Sequence, residues 1–103
     1  IMRCRILLFV VDTAGTEGRD PVHDLETVRT EVSLYSKELA KRPWYIIANK
    51  MDVEGADENL ALLKDRFKRV KILPVSAETG LGMDKLRDFL DQKIGQDYGV
   101  DFV

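Results

Sequence analysis

Apolar and polar residues fall in blocks along this chain, and the period of the blocks changes from one to the next. Positions 6–11 are all apolar, Ile6-Leu7-Leu8-Phe9-Val10-Val11, and lie between Arg5 and Asp12. A short unbroken apolar run between charges predicts a strand buried on both faces. Residues 13–19 hold two glycines and two threonines and read as a loop. Asp20-Pro21 then reads as a helix start, with Asp as the cap and Pro at the first helical position. Leu25, Val28, Val32, Tyr35 and Leu39 recur at spacings of three and four. They form one stripe on a helix of about twenty residues, which Pro43 stops. Trp44 to Ala48 is a second apolar run and a second strand. After a loop containing Gly55, a second helix starts near Asp57, with Leu60, Leu63 and Phe67 facing inward. Lys71 to Val75 reads as a third strand. Pro74 cannot donate to a ladder, so this strand must lie at an edge or end there. Residues 76–82 form a small-residue loop, and Met83, Leu86, Leu90 and Ile94 mark a third helix.

The order β-α-β-α-β-α, with connections of crossover length, predicts a three-layer α/β fold on a parallel sheet. The first two helices share one face of the sheet and the third covers the other. Residues 1–95 make one unit. Residues 96–103 show no clear period and read as a tail. The edge of the first strand is expected to be exposed, and an exposed edge invites pairing with another copy.

Composition narrows the function classes. The 103 residues are 45% hydrophobic and 33% charged, with a net charge of −2. That balance gives no basic footprint for nucleic acid and no attraction to a membrane surface. No apolar run approaches the ~20 residues of a membrane span. Cys4 and His23 are the only residues of their kinds. They offer no internal disulfide and no Cys/His metal cluster, which fits a reducing cytoplasm. The chain begins Ile1-Met2, with a strand a few residues on, and reads as a piece of a longer protein.

The chemistry gathers at the ends of the predicted strands. Asn49-Lys50-Met51-Asp52 directly follows the second strand. A carboxylate such as Asp52 has two acceptor oxygens and no donor. Guanine offers two neighbouring donors, N1 and the 2-amino group, and adenine does not. The Lys50 stem can lie flat on a base with its charge in water. The Asn49 amide can brace a loop or a base edge. Ser76-Ala77-Glu78 follows the third strand, 27 residues after Asn49. Adjacent parallel strands are about 4.8 Å apart, so both loops can reach one base. A small residue at Ala77 admits close approach of its N–H to the guanine 6-oxo group. Ligands of open α/β sheets bind at these carboxyl ends. The pattern therefore points to recognition of a guanine nucleotide by Asn49, Lys50, Asp52, Ser76, Ala77 and Glu78.

Asp12-Thr13-Ala14-Gly15 resembles the Asp-x-x-Gly that positions Mg²⁺ and the γ-phosphate in GTPases, yet its spacing argues against that role. Asp12 and Asn49 are 37 residues apart, with room for only one helix. The first strand should thus neighbour the base-binding strand. No Gly-x-x-x-x-Gly-Lys-Ser/Thr occurs, so the loop that cradles phosphates is absent. The chain alone is not expected to hydrolyse GTP, and no catalytic or metal-binding residue is assigned.

Val11-Asp12-Thr13-Ala14-Gly15-Thr16-Glu17-Gly18-Arg19-Asp20-Pro21, with Asp24, resembles the stretch after the fourth strand in the Obg family of GTPases. Glu31, Leu34, Tyr35 and Leu39 fit the helix that follows. Arg42-Pro43 and Ala48 to Asp52 are similar too, and the likeness covers residues 1–93. It implies the base-recognition half of a P-loop GTPase (Rossmann-like) domain, with 96–103 beyond it. GTP or GDP would make base contacts here, while Mg²⁺ would be held only by the other half of the domain. The resemblance also implies a parent protein that hydrolyses GTP and acts on the large ribosomal subunit. The family's Ser-Ala motif falls on Ser76 and Ala77. Glu78 stands where other GTPases often carry Lys, so a stacking role there is not implied. The alternative is a non-catalytic α/β half-domain that binds a partner or a second copy through its first strand. Glu17, Arg19 and Asp20 read either as a ribosome contact or, more simply, as a helix-capping loop.

Overall fold

A computed structural model describes residues 4–15, 18, 20–96 and 98–103. Strand β1 (Cys4–Asp12) leads to helix α1 (Pro21–Tyr35), a single turn α2 (Lys37–Ala40) and strand β2 (Trp44–Asn49). Helix α3 (Ala56–Arg66), strand β3 (Ile72–Pro74), helix α4 (Met83–Gly95) and strand β4 (Tyr98–Phe102) complete the order. The four strands form one parallel sheet in the order β3-β2-β1-β4. The fold is the three-layer α/β arrangement expected from the sequence. Pro74 ends β3, which lies at an edge, so its missing N–H costs no ladder bond.

Alternation along β1 divides its side chains between two cores. Leu7, Phe9 and Val11 pack with Leu25 of α1, Ile46 and Ala48 of β2, and Leu63 of α3. Ile6 and Leu8 pack on the other face with Ile47, Leu73, Val75, and Leu86 and Phe89 of α4. So α1 and α3 cover one face and α4 the other, as the order of elements requires. On the first face, Trp44 makes edge-on contacts with Phe9 and Phe67 at 5.5 and 5.9 Å. The Arg29 guanidinium lies 4.2 Å from the Trp44 ring centre, and partial burial lowers its pKa. The aromatic face supplies attraction that water no longer does.

Five expectations need correction. The segment read as a tail is mostly strand: Tyr98–Phe102 pairs in parallel with β1 from Cys4 to Leu8. Its five residues include Gly99 and Asp101, poor strand formers, so local pattern did not disclose it. Tertiary contacts make it a strand: Tyr98 and Val100 pack on the α4-side core. The Arg5 guanidinium donates Nε–H and Nη2–H to the two Asp101 carboxylate oxygens, each at 2.7 Å. The β1 edge expected to be free for self-association is therefore covered by the chain itself. The long first helix is interrupted at Ser36, whose backbone is extended and whose Oγ accepts from Leu39 N–H at 3.2 Å. A serine hydroxyl that caps a new turn competes with helix continuation. Leu34 and Tyr35, at the end of α1, are 83% and 85% exposed, so Tyr35 is not part of the buried stripe. In α4 the buried pair is Leu86 and Phe89, with Ile94 exposed. Finally, Val10 is 45% exposed rather than buried.

Asp20 caps α1 as expected, accepting Val22 N–H at 3.0 Å on Oδ1. Glu17 and Arg19 lie outside the described residues. Among the described residues, no helix is long and apolar enough to cross a membrane.

Candidate functional site

The carboxyl ends of β1, β2 and β3 converge on Asp12, Asn49 and the loop after Pro74. The register Asp12↔Asn49 sets these two residues side by side. Thr13 is fully buried just beyond. Its N–H donates to the Asn49 carbonyl at 3.0 Å, and its hydroxyl donates to the same oxygen. Asn59 of α3 donates from Nδ2 to the Thr13 carbonyl at 2.7 Å. Helix α3 thereby holds the turn that leaves β1.

Two cross-links join the loop after β2 to the loop after β3. Asn49 Oδ1 accepts from Ala77 N–H at 3.1 Å. Asp52 Oδ1 accepts from the Ser76 hydroxyl at 2.7 Å. Ser76 is fully buried, and its Oγ also accepts Thr79 N–H at 3.2 Å. Backbone bonds brace the same region: Val75 N–H to Ala48 O at 2.8 Å, and Met51 N–H to Val75 O at 3.1 Å. The loop closes on itself through Ser76 N–H to Leu81 O and Gly80 N–H to Ser76 O, both 2.8 Å. The result is a braced rim with Asp52 and Ala77 exposed on it. Oδ2 of Asp52 has no hydrogen-bond partner among the described residues, and a carboxylate oxygen can accept more than one donor. The acceptor chemistry that two adjacent ring donors need is present.

The six residues singled out from sequence do not all behave alike. Asn49, Asp52, Ser76 and Ala77 come together. The Ala77 N–H meets Asn49, so a 6-oxo group would have to share that donor or displace the amide. Glu78 is exposed and makes no hydrogen bond among the described residues. Lys50 turns toward β1, its Nζ 3.0 Å from Asp12 Oδ2. It is the one non-glycine residue at positive φ among those described, at 65°. For an L-residue that conformation costs roughly 1–2 kcal/mol.

Asp12 Oδ2 meets the Lys50 ammonium, and its Oδ1 accepts Ala14 N–H at 2.8 Å. As the spacing required, β1 is the direct neighbour of β2. No group of three or more His, Cys, Asp or Glu able to hold a metal occurs among the described residues.

No family model matches the chain, but curated proteins do. GTPase Obg of Akkermansia muciniphila is 56% identical over 95 residues, which cover 92% of this chain and 27% of that protein. GTPase Obg of Desulforamulus reducens is 51% identical over 86 residues, 82% of this chain and 20% of its own length. GTPase Obg of Alkaliphilus metalliredigens is 42% identical over 96 residues, 91% and 22%. The chain belongs to the Obg family of GTPases. It spans between 20% and 27% of the length of these relatives.

The Obg-family segment also carries site residues that sequence reasoning missed. Thr13 and Asn59 hold the end of β1 against β2 and α3, and neither stood out in a run of ordinary loop and helix residues. Asp12 belongs with them through its contact with Lys50. Its signal was position: a charge ending an apolar strand, beside a strand that ends in Asn-Lys.

Proposed function

We propose that this chain is the base-recognition part of a guanine-nucleotide-binding domain. The observation that carries the reading is the pair of cross-links, Asn49 to Ala77 and Ser76 to Asp52, which gathers two loops into one rim. In this reading Asp52 accepts the N1 and 2-amino donors of guanine, and the Ala77 N–H turns to the 6-oxo group. Asn49 braces the rim, Ser76 orients Asp52, and the Lys50 stem lies against the base. Glu78 is an exposed neighbour of the Ala77 contact. GTP or GDP binds here through its base, while the phosphates and Mg²⁺ are held by residues beyond this chain. GTP hydrolysis, action on the large ribosomal subunit and a cytoplasmic setting belong to the longer protein, as its relatives' name and the family likeness suggest. The self-association alternative loses its support with the covering of β1 by β4.

The test is a backbone NMR titration of the 103-residue chain with GDP and, separately, ADP. With no phosphate loop, affinity of about millimolar is expected, roughly −4 kcal/mol. Shifts at Asn49, Asp52 and Ala77 that appear with GDP and not ADP support the reading. Asp52→Ala should abolish the preference for guanine, and a variant that keeps the preference would show the assignment to be wrong.

A further inference from the structure

We infer that Asp12 is a positioning residue for Lys50, fixing the lysine stem as the floor on which a bound base rests. The inference rests on the guanine reading above and names a residue that reading does not use. Three observations carry it. The first is the Lys50 backbone: it keeps a left-handed φ of 65° where glycine would adopt the same turn freely. An observed outlier of this kind is grounds for asking what function retains it. The second is that the turn is held from both sides. Val53 N–H donates to Lys50 O and Met51 N–H to Val75 O, both at 3.1 Å. The third is the target. The ammonium meets Asp12 Oδ2 at 3.0 Å, and Asp12 is itself fixed through Oδ1 to Ala14 N–H at 2.8 Å.

The Lys50 side chain is 48% exposed, against 29% for Asp12. A lysine this open would ordinarily sample many rotamers in water. Here the backbone bend and an anchored carboxylate hold both ends of the stem, between the ends of β1 and β2. A base accepted by Asp52 then meets a floor already in place and need not order one as it binds. Preorganisation of this kind raises affinity without adding a contact to the ligand. Asp12 touches no base in this scheme and acts through Lys50 alone.

The experiment titrates the chain with GDP and ADP and reads two sets of signals. Amide shifts at Asp52 and Ala77 report the guanine contacts. Upfield ring-current shifts of the Lys50 γ and δ methylene protons report the stem lying on the base. Asp12→Asn keeps a carbonyl oxygen for Ala14 N–H and presents an amide in place of the charge to the ammonium. It should lose most of the Lys50 upfield shift and weaken GDP binding by about three- to tenfold, with Asp52 and Ala77 still responding to GDP. Lys50→Met is a second variant that leaves Asp12 and its turn untouched. It should weaken GDP binding to a similar degree, and adding Asp12→Asn to it should weaken binding no further. Full Lys50 shifts in Asp12→Asn, or additive losses in the double variant, would overturn the positioning role and leave the guanine reading standing. Absence of GDP-selective shifts at Asp52 and Ala77 in the unsubstituted chain would overturn both.

Discussion

Replacing Gly82 with alanine tests how tightly the loop carrying Ser76 and Ala77 is built. Gly82 precedes α4 with a φ of 71°, and a Cβ there would lie 2.2 Å from the Pro74 carbonyl oxygen and 3.3 Å from Val75 Cα. Ordinary nonbonded contact is about 3.5 Å, so the backbone must move by about 1 Å. It has little room to do so, because Val75 N–H is bound to Ala48 O and Ser76 N–H to Leu81 O, both at 2.8 Å. Gly80 in the same loop provides the control. Its φ is 86°, yet a Cβ there would meet nothing within 4 Å. Gly80→Ala should cost only the left-handed conformation, about 1–2 kcal/mol. Gly82→Ala should add about 2–3 kcal/mol for the forced displacement. At about 4 °C or more per kcal/mol for a domain of this size, the Tm falls by about 4–8 °C in the first case and by about 12–20 °C in the second. Thermal unfolding followed by circular dichroism under one buffer condition decides it. Equal losses for the two variants would show that β3 yields to the clash and that the rim is softer than its hydrogen bonds imply.

Two further substitutions probe how β4 is fastened. The Arg5 guanidinium, through its hydrogen bonds, holds the Asp101 carboxyl below the usual carboxylate range. A carboxyl depressed in the folded state stabilises above its unfolded pKa of about 3.9, and that stabilisation is lost as pH falls through the folded value. Asp101→Asn should therefore lower the Tm slightly at pH 7, as befits an exposed pair. The difference from the unsubstituted chain should close on acidification and shrink in salt, and Tm measured against pH checks both. The Lys93 ammonium lies 5.4, 5.5 and 5.4 Å from the ring centres of Tyr45, Phe89 and Tyr98. Lys93→Met keeps the stem and should cost about 1 kcal/mol in urea unfolding, while Lys85→Met, at an exposed site, should cost nearly nothing.

Much of the architecture was legible because the apolar pattern is strong where burial is two-sided. Ile6 to Phe9, Ile46 to Ala48 and the Leu25–Val28–Val32 stripe all fall where their periods put them. The elements that escaped are those whose stability is not local. Tyr98–Phe102 carries Gly99 and Asp101 and becomes a strand only because β1 offers it an edge and Arg5 an ion partner. The break at Ser36 turns on one hydroxyl that caps as readily as it exposes itself on a helix. At the site, the convergence of Asn49, Asp52, Ser76 and Ala77 followed from strand order alone. The Asp12–Lys50 pair did not, since it depends on a left-handed backbone at a lysine, which no residue preference would suggest.

The placement of β1 between two unequal neighbours has a consequence for how the sheet opens. In a parallel strand paired on both sides, alternate residues direct their N–H groups to opposite neighbours. Leu7 N–H bonds Pro43 O at the start of β2, while Val10 N–H bonds Val103 O past β4. Phe9 and Val11 follow Leu7, and Ile6 and Leu8 follow Val10. Strand β2 sits between two covered faces, whereas β4 is a five-residue edge strand whose Phe102 is 61% exposed. Fraying of β4 alone would release the even-numbered amides of β1 to solvent deuterons and leave the odd-numbered ones waiting for the whole sheet to unfold. From Ile6 to Val11, a single strand would then record two opening free energies in alternation.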